Sequence, residues 1–235
     1  MNTLPKLEVN KYELKVPSTG ESIEYRPFLV KEEKILMMAQ ESKDPKAIIR
    51  ALKDIVKSCT FNKLNPNVLS SYDLEYIFLQ LRIKSVGETA QISLKCEECG
   101  LENEVDVDLS QAYIEYPEEK VDPKIELTDT VGIILKPLNV KDLEKLEDNS
   151  DDISEVIGLA IDKIYDADNV YTAADSSKKE LSEFVDSLSH KHLEMIQAYI
   201  TSQPKLVVEI EFTCSNPDCK YANKIKLEGI QNFFK

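Results

Sequence analysis

The sequence has no long apolar run. No stretch of about 18 consecutive apolar residues occurs in its 235 positions, so nothing in it predicts a membrane-spanning helix. Its first residues, Met1-Asn2-Thr3-Leu4-Pro5, lack the basic region and apolar core of a signal peptide. The expected compartment is reducing cytosol, where paired cysteines read as metal ligands or redox groups before disulfides. Glycine and proline are sparse, 6 and 10, and no low-complexity tract occurs, which argues against long disordered linkers. Basic residues are outnumbered: 29 Lys and Arg against 43 Asp and Glu give a net charge of −14. Phosphate binding draws on clustered Lys and Arg, so this balance argues against a nucleic-acid binder. It supplies solubility, or a docking surface for a basic partner. Catalytic signatures are missing too: there is no H-E-x-x-H, no Gly-rich phosphate loop, no nucleophile elbow and no convincing Cys–His pairing.

What is present is a stretch that occurs twice. Leu69-Ser70-Ser71-Tyr72-Asp73-Leu74-Glu75-Tyr76-Ile77 returns as Leu188-Ser189-His190-Lys191-His192-Leu193-Glu194-Met195-Ile196, identical at five of nine positions. Each copy leads into a pair of cysteines, Cys96 and Cys99 in one case, Cys214 and Cys219 in the other. Beyond the second cysteine the correspondence continues without a gap, with Asn103 and Val105 where Asn223 and Ile225 stand. The predicted fold is α+β: an internally duplicated unit of β-hairpin, three helices and β-hairpin. Repeat one covers 1–114, an acidic linker 115–123, and repeat two 124–235, with a pseudo-two-fold, zinc-ribbon-like clasp joining them.

In repeat one, residues 12–16 alternate as a strand, Pro17-Ser18-Thr19-Gly20 turns, and 23–28 returns. Helices are predicted from about Lys31 to Gln40, from Pro45 with Ile48, Leu52, Ile55 and Cys59 inward, and after a cap at Ser70. Strands at 89–95 and through Val105, Val107 and Leu109 flank the first cysteines. In repeat two, strands are expected at 125–127 and 131–135 and a helix from Lys141 to Leu146. A second helix carries Val156, Ile157, Ala160 and Ile164 on one face. An insertion at 165–178 and a helix near 181–188 precede the helix of 190–202, which leads to strands at 205–213 and 224–228. Ile230-Gln231-Asn232-Phe233-Phe234 is expected to form a short tail helix docking two aromatics.

Cys96, Cys99, Cys214 and Cys219 are the candidate metal ligands. A structural zinc wants four thiolates or imidazoles in a tetrahedron, and a C-x2-C turn places two sulfurs on one ion. Gly100 can take the positive φ that such a knuckle needs. The second pair is looser, with four intervening residues, and 114 residues separate the pairs, far more than in a single ribbon. The duplication accounts for that separation. Four thiolates would close the shell, so one zinc would be structural and would tie part of its binding free energy to folding. Other readings stay open: free thiols or disulfides, a redox C-x2-C, or metal ligands shared with another subunit. The redox reading is weakened because such dithiols sit at a helix N-terminus, whereas this motif lies between strands.

The remaining candidates read more simply as structure. His190 and His192 suit surface or capping roles, since residues two apart point to different faces of a helix. Cys59 suits the core. Glu147-Asp148-Asn149-Ser150-Asp151-Asp152 lacks the glycine and distal Glu of a calcium loop and reads as a solvated helix start.

Leu14-Lys15-Val16-Pro17-Ser18-Thr19-Gly20, the run Arg26-Pro27-Phe28-Leu29-Val30-Lys31-Glu32-Glu33-Lys34 and the two late cysteine pairs resemble the baseplate hub subunits and hub assembly proteins of T-even-type contractile-tailed phages. The resemblance covers most of the chain, and the Pro-Phe-Leu-Val-Lys-Glu-Glu-Lys run is its most specific piece. It implies a non-enzymatic protein without a small-molecule substrate or a membrane. Such a protein would bind other hub proteins in the host cytoplasm, as a retained baseplate component or as a departing assembly factor. Two further classes compete with it. A zinc-ribbon regulatory or nucleic-acid-associated protein is permitted by the cysteines and opposed by the charge. A thiol-based enzyme or redox switch would need a depressed thiol pKa and a disulfide substrate.

Overall fold

The computed structural model describes residues 7–42, 44–145 and 153–229. In chain order they form β1 (Tyr12–Lys15), β2 (Ser22–Tyr25), α1 (Val30–Ser42), α2 (Pro45–Cys59), α3 (Ser71–Ser85), β3 (Thr89–Lys95), β4 (Glu102–Asp108), β5 (Tyr113–Glu115), β6 (Lys124–Glu126), β7 (Gly132–Leu135), α4 (Val140–Leu143), α5 (Ile153–Ala160), β8 (Ile161–Tyr165), β9 (Val170–Thr172), α6 (Lys178–Asp186), α7 (His190–Thr201), β10 (Lys205–Thr213) and β11 (Ala222–Glu228). This is a mixed α+β architecture, with seven α-helices and four small antiparallel sheets among the described residues. No described helix is long and apolar enough to cross a membrane. Two compact units result, one from Met1–Glu115 with Lys205–Lys235, the other from Tyr116–Pro204. The acidic run of 147–152 and the expected tail helix of 230–234 lie outside the described residues.

In the first unit, β1 and β2 pair with Leu14 opposite Ile23, both buried. Asp44 caps α2 by accepting from the Lys46 N–H at 2.9 Å, and Pro45 sits in the first turn, where no donor is lost. Leu52, Ile55, Val56 and Cys59 form its buried face, against α1 and α3. Helix α3 is the core helix. Leu74, Ile77, Phe78, Leu79, Leu81 and Ile83 are all buried, a distribution wider than one amphipathic stripe. Its cap does two things. Ser70 Oγ accepts from the Asp73 N–H and donates to Asp73 Oδ2 at 2.6 Å, while Asp73 Oδ1 accepts the Ser18 N–H at 2.9 Å. The start of α3 therefore also fixes the turn between β1 and β2.

Charge is buried where α1 begins. Arg26 Nη2 meets Glu32 Oε1 at 2.8 Å, Ser58 Oγ donates to the same oxygen at 2.9 Å, and the Leu29 N–H donates to Oε2 at 2.9 Å. The two side chains are 11% and 3% exposed.

Strands β3 and β4 form a two-stranded hairpin; β10 pairs on one edge with β11 and on the other with β5. Tyr113–Glu115 is thus a strand against Lys205–Val207, which brings the closing segment of the chain into the unit of its first half.

The second unit holds a four-stranded sheet in the order β6-β7-β8-β9, with Ile125, Ile133, Ile157, Ile161, Ile196 and Tyr199 in its core. Here one expectation is corrected. Ile164 does not continue the helical face of Val156, Ile157 and Ala160: α5 ends at Ala160, and Ile164 lies on β8 opposite Ile133. A spacing of four fits a helix, and Ile161-Asp-Lys-Ile-Tyr has no clean two-residue alternation to mark a strand; the open edge of β7 supplies the partner, with a register irregularity at Ile134/Leu135. Residues expected as an insertion provide β9 and a 3-10 turn at Ala173–Asp175, so the opening hairpin of this half is widened to four strands.

Gly132 is needed where β7 passes Tyr165. A Cβ at this position would overlap the Tyr165 hydroxyl and stand 2.8 Å from the Ile125 carbonyl oxygen, a backbone atom that cannot swing away. Gly132→Ala is expected to lower stability by roughly 1–3 kcal/mol, as overpacking does. Thermal unfolding measures it, and an unchanged midpoint would show that the sheet absorbs the methyl group.

Candidate metal centre

Each cysteine pair sits on a tight turn between two antiparallel strands. In the first knuckle the Cys96 N–H donates to the Leu101 carbonyl at 2.8 Å and the Gly100 N–H to the Cys96 carbonyl at 2.9 Å. Gly100 takes φ +72°, which a glycine adopts without steric cost. In the second knuckle the Cys214 N–H donates to the Tyr221 carbonyl at 2.9 Å and the Lys220 N–H to the Asn216 carbonyl at 3.0 Å. Lys220, the residue that follows the second cysteine here, is also left-handed, at φ 48°.

All four sulfurs lie within 4.8 Å of one another. The close pairs cross between knuckles: Cys96 to Cys219 is 3.9 Å and Cys99 to Cys214 is 3.6 Å. A disulfide requires about 2.05 Å, and all four cysteines are free thiols. A tetrahedron with metal–sulfur bonds of about 2.3 Å has edges of about 3.8 Å. The cross-knuckle spacings match that edge, so the cluster could bind one metal ion.

The electrostatics of the bare thiols agree with such a donor set. The Cys96 thiol is drawn down to about 6, chiefly by the Cys99 N–H and also by the Glu98 N–H and the Asn223 amide. Cys219 moves the other way: the Tyr221 N–H pulls it down, but burial and the sulfurs of Cys99, Cys96 and Cys214 together push it up to about 12. Cys214 is also raised, because burial and the Cys99 and Cys96 sulfurs outweigh the Asn216 N–H. Several thiolates resist sharing one small volume, and a cation at its centre removes that conflict.

Two buried asparagines complete the arrangement. Asn103 Oδ1 accepts the Ser215 N–H at 2.7 Å, and Asn223 Oδ1 accepts the Glu97 N–H at 2.9 Å. Ser215 and Glu97 each follow the first cysteine of the opposite knuckle. Each amide nitrogen holds its own knuckle, Asn103 on the Leu101 carbonyl at 2.8 Å and Asn223 on the Tyr221 carbonyl at 3.1 Å. Asn223 Nδ2 also lies 3.6 Å from Cys96 Sγ. The sequence aligns these asparagines but does not assign them to the site. Their signal was phase: Asn103 precedes Val105 and Val107, and Asn223 precedes Ile225 and Leu227, so a polar residue occupies the inward position of a strand.

The other candidates lie apart from the cluster. His192 caps α7: its Nδ1 accepts the Ser189 N–H, and Ser189 Oγ accepts the His192 N–H, both at 3.3 Å. Cys59 is buried in α2, and burial pushes its thiol up to about 11.

The fold and site define an α+β protein whose two cysteine hairpins bring four thiols to one point that could hold a metal ion. A family model described as T4 bacteriophage base plate protein matches residues 9–235, and the chain belongs to that family. It is a T4-type phage baseplate protein. No curated protein and no solved structure matches it.

Proposed function

We propose that this protein takes part in building the baseplate hub by binding other hub proteins rather than by catalysis, with one structural zinc clasping its cysteine hairpins. The family match over 9–235 carries the reading. Four thiol donors at tetrahedral spacing suit zinc, and a shell filled by Cys96, Cys99, Cys214 and Cys219 leaves no position for a reacting water. The −14 charge does not favour the nucleic-acid alternative. The place of action is the host cytoplasm during assembly, and the baseplate of the virion if the protein is retained.

The same reading takes the chain as two copies of one unit, 1–114 and 124–235, joined by 115–123. Paired observations support it. Ser22–Tyr25 and Gly132–Leu135 lie 110 positions apart, as do Val30 and Val140 at the starts of α1 and α4. Arg26 pairs with Glu32 at 2.8 Å, and at the same offset Lys136 pairs with Asp142 at 2.7 Å. The closing strands Glu102–Asp108 and Ala222–Glu228 lie 120 apart, and their asparagines exchange equivalent bonds. That exchange is what a local pseudo-two-fold between the knuckles would produce. The compact units cut across the repeats because β10 pairs with β5.

Quantitative mass spectrometry of purified mature particles and of infected-cell lysate tests the role. A small fixed copy number in particles is expected for a hub component; presence in lysate with absence from particles would make it a departing assembly factor. Absence from both would remove the baseplate role.

A further inference from the structure

We infer that Asn103 and Asn223 lock the two knuckles in register with the metal off the site, and so position the sulfurs to receive it. The inference rests on the metal-site reading above and concerns how that site is held. Both side chains are buried, 5% and 2% exposed, at strand positions whose neighbours in phase are apolar. A buried amide at such a place is costly unless its donors and acceptor are met. Here the amide nitrogen and the oxygen of each asparagine both have a backbone partner. One bond of each asparagine stays in its own hairpin and one crosses to the other.

Neither a sulfur nor an ion is a partner in these four bonds, so they do not depend on metal for their geometry. The crossing bonds end on the amides of Glu97 and Ser215, each adjacent to a cysteine that supplies a sulfur. Fixing those two amides fixes the spacing of Cys96 and Cys214. The Asn223 amide, 3.6 Å from Cys96 Sγ, also aims a donor at a ligand atom. Groups that orient metal ligands from outside the coordination shell hold them ready to bind and slow their release. Asn103 and Asn223 are in this sense positioning residues.

Amide hydrogen exchange on chelator-stripped, unmutated protein tests the lock directly. The Glu97 and Ser215 amides are expected to exchange at least about tenfold more slowly than their intrinsic rates; exchange at the intrinsic rates overturns the inference. Metal release gives the second readout. Zinc-loaded N103A and N223A are expected to lose metal to a chromogenic chelator roughly tenfold or more faster than the parent. Asn139→Ala, which removes the side-chain cap of α4 far along the sequence, is expected to leave the release rate unchanged. Release from both knuckle variants within twofold of the parent overturns the positioning role. If the parent binds no stoichiometric zinc, the zinc reading falls, and the exchange experiment still decides whether the asparagines lock the knuckles.

Discussion

Replacing Cys214 by Ser is expected to abolish stoichiometric metal and to destabilise both cysteine hairpins, although Cys96 and Cys99 lie more than a hundred residues away. Cys214 Sγ stands 3.6 Å from Cys99 Sγ, and its removal leaves three thiols with a hydroxyl that is a poor zinc ligand. A metal that binds only the folded state stabilises it by about 4 kcal/mol when free metal is about a thousandfold above Kd. The variant should lose about that amount, a fall in Tm of roughly 8–16 °C for a chain of this size. A chelator should bring the parent down to the same midpoint and leave the variant where it is. Hydrogen exchange should rise in β3–β4 as well as in β10–β11, since both knuckles supply ligands. A Cys214→Ser protein with full metal and an unchanged midpoint would mean that the pairs do not share an ion.

The parts of this structure that were legible in sequence are those set by neighbours along the chain. Pro45 at a helix start, Ser70 as a cap, and the alternation through Val105 and Val107 each describe a local preference, and each appears where expected. The cysteines were legible because the thiol has few alternative uses in such pairs, and the four sulfurs lie together. What stayed hidden depends on partners distant in sequence. Tyr113–Glu115 straddles the expected boundary between repeat one and the linker, where no strand is expected, and is a strand only because Lys205–Val207 pairs with it. Ile164 satisfied a helical spacing and went to a sheet because β7 had an edge to fill. Asn103 and Asn223 stood in the sequence only as matching positions of the repeat; their bonds become visible only when the two hairpins meet.

Glu32→Gln is the second large effect, expected to cost about 3–5 kcal/mol at pH 7, the usual loss when one partner of a buried ion pair is removed. Glutamine keeps the shape but replaces one of the two acceptor oxygens with a donor amide, and it leaves the Arg26 guanidinium, 11% exposed, without a counter-charge. The pH dependence isolates the charge. Burial alone would raise the Glu32 carboxyl, but the Arg26 guanidinium, the Leu29 N–H and the Ser58 hydroxyl together hold it at about 2. An unfolded Glu titrates near 4.3. The folded value is lower, so the carboxylate contributes its full stability above about pH 5 and loses it as pH falls toward 2, by about 3 kcal/mol. Parent and variant stabilities should therefore converge on acidification, whereas a loss due to packing would persist at every pH. Asp142 gives an internal comparison. Its carboxyl is likewise lowered: burial opposes the shift, and Lys136 and Lys145 drive it. These lysines are 33% and 53% exposed, so solvent screens them more than it screens Arg26. Asp142→Asn should show the same direction with a smaller loss. Equal losses at the two positions would mean that burial of the cation does not set the strength of the pair.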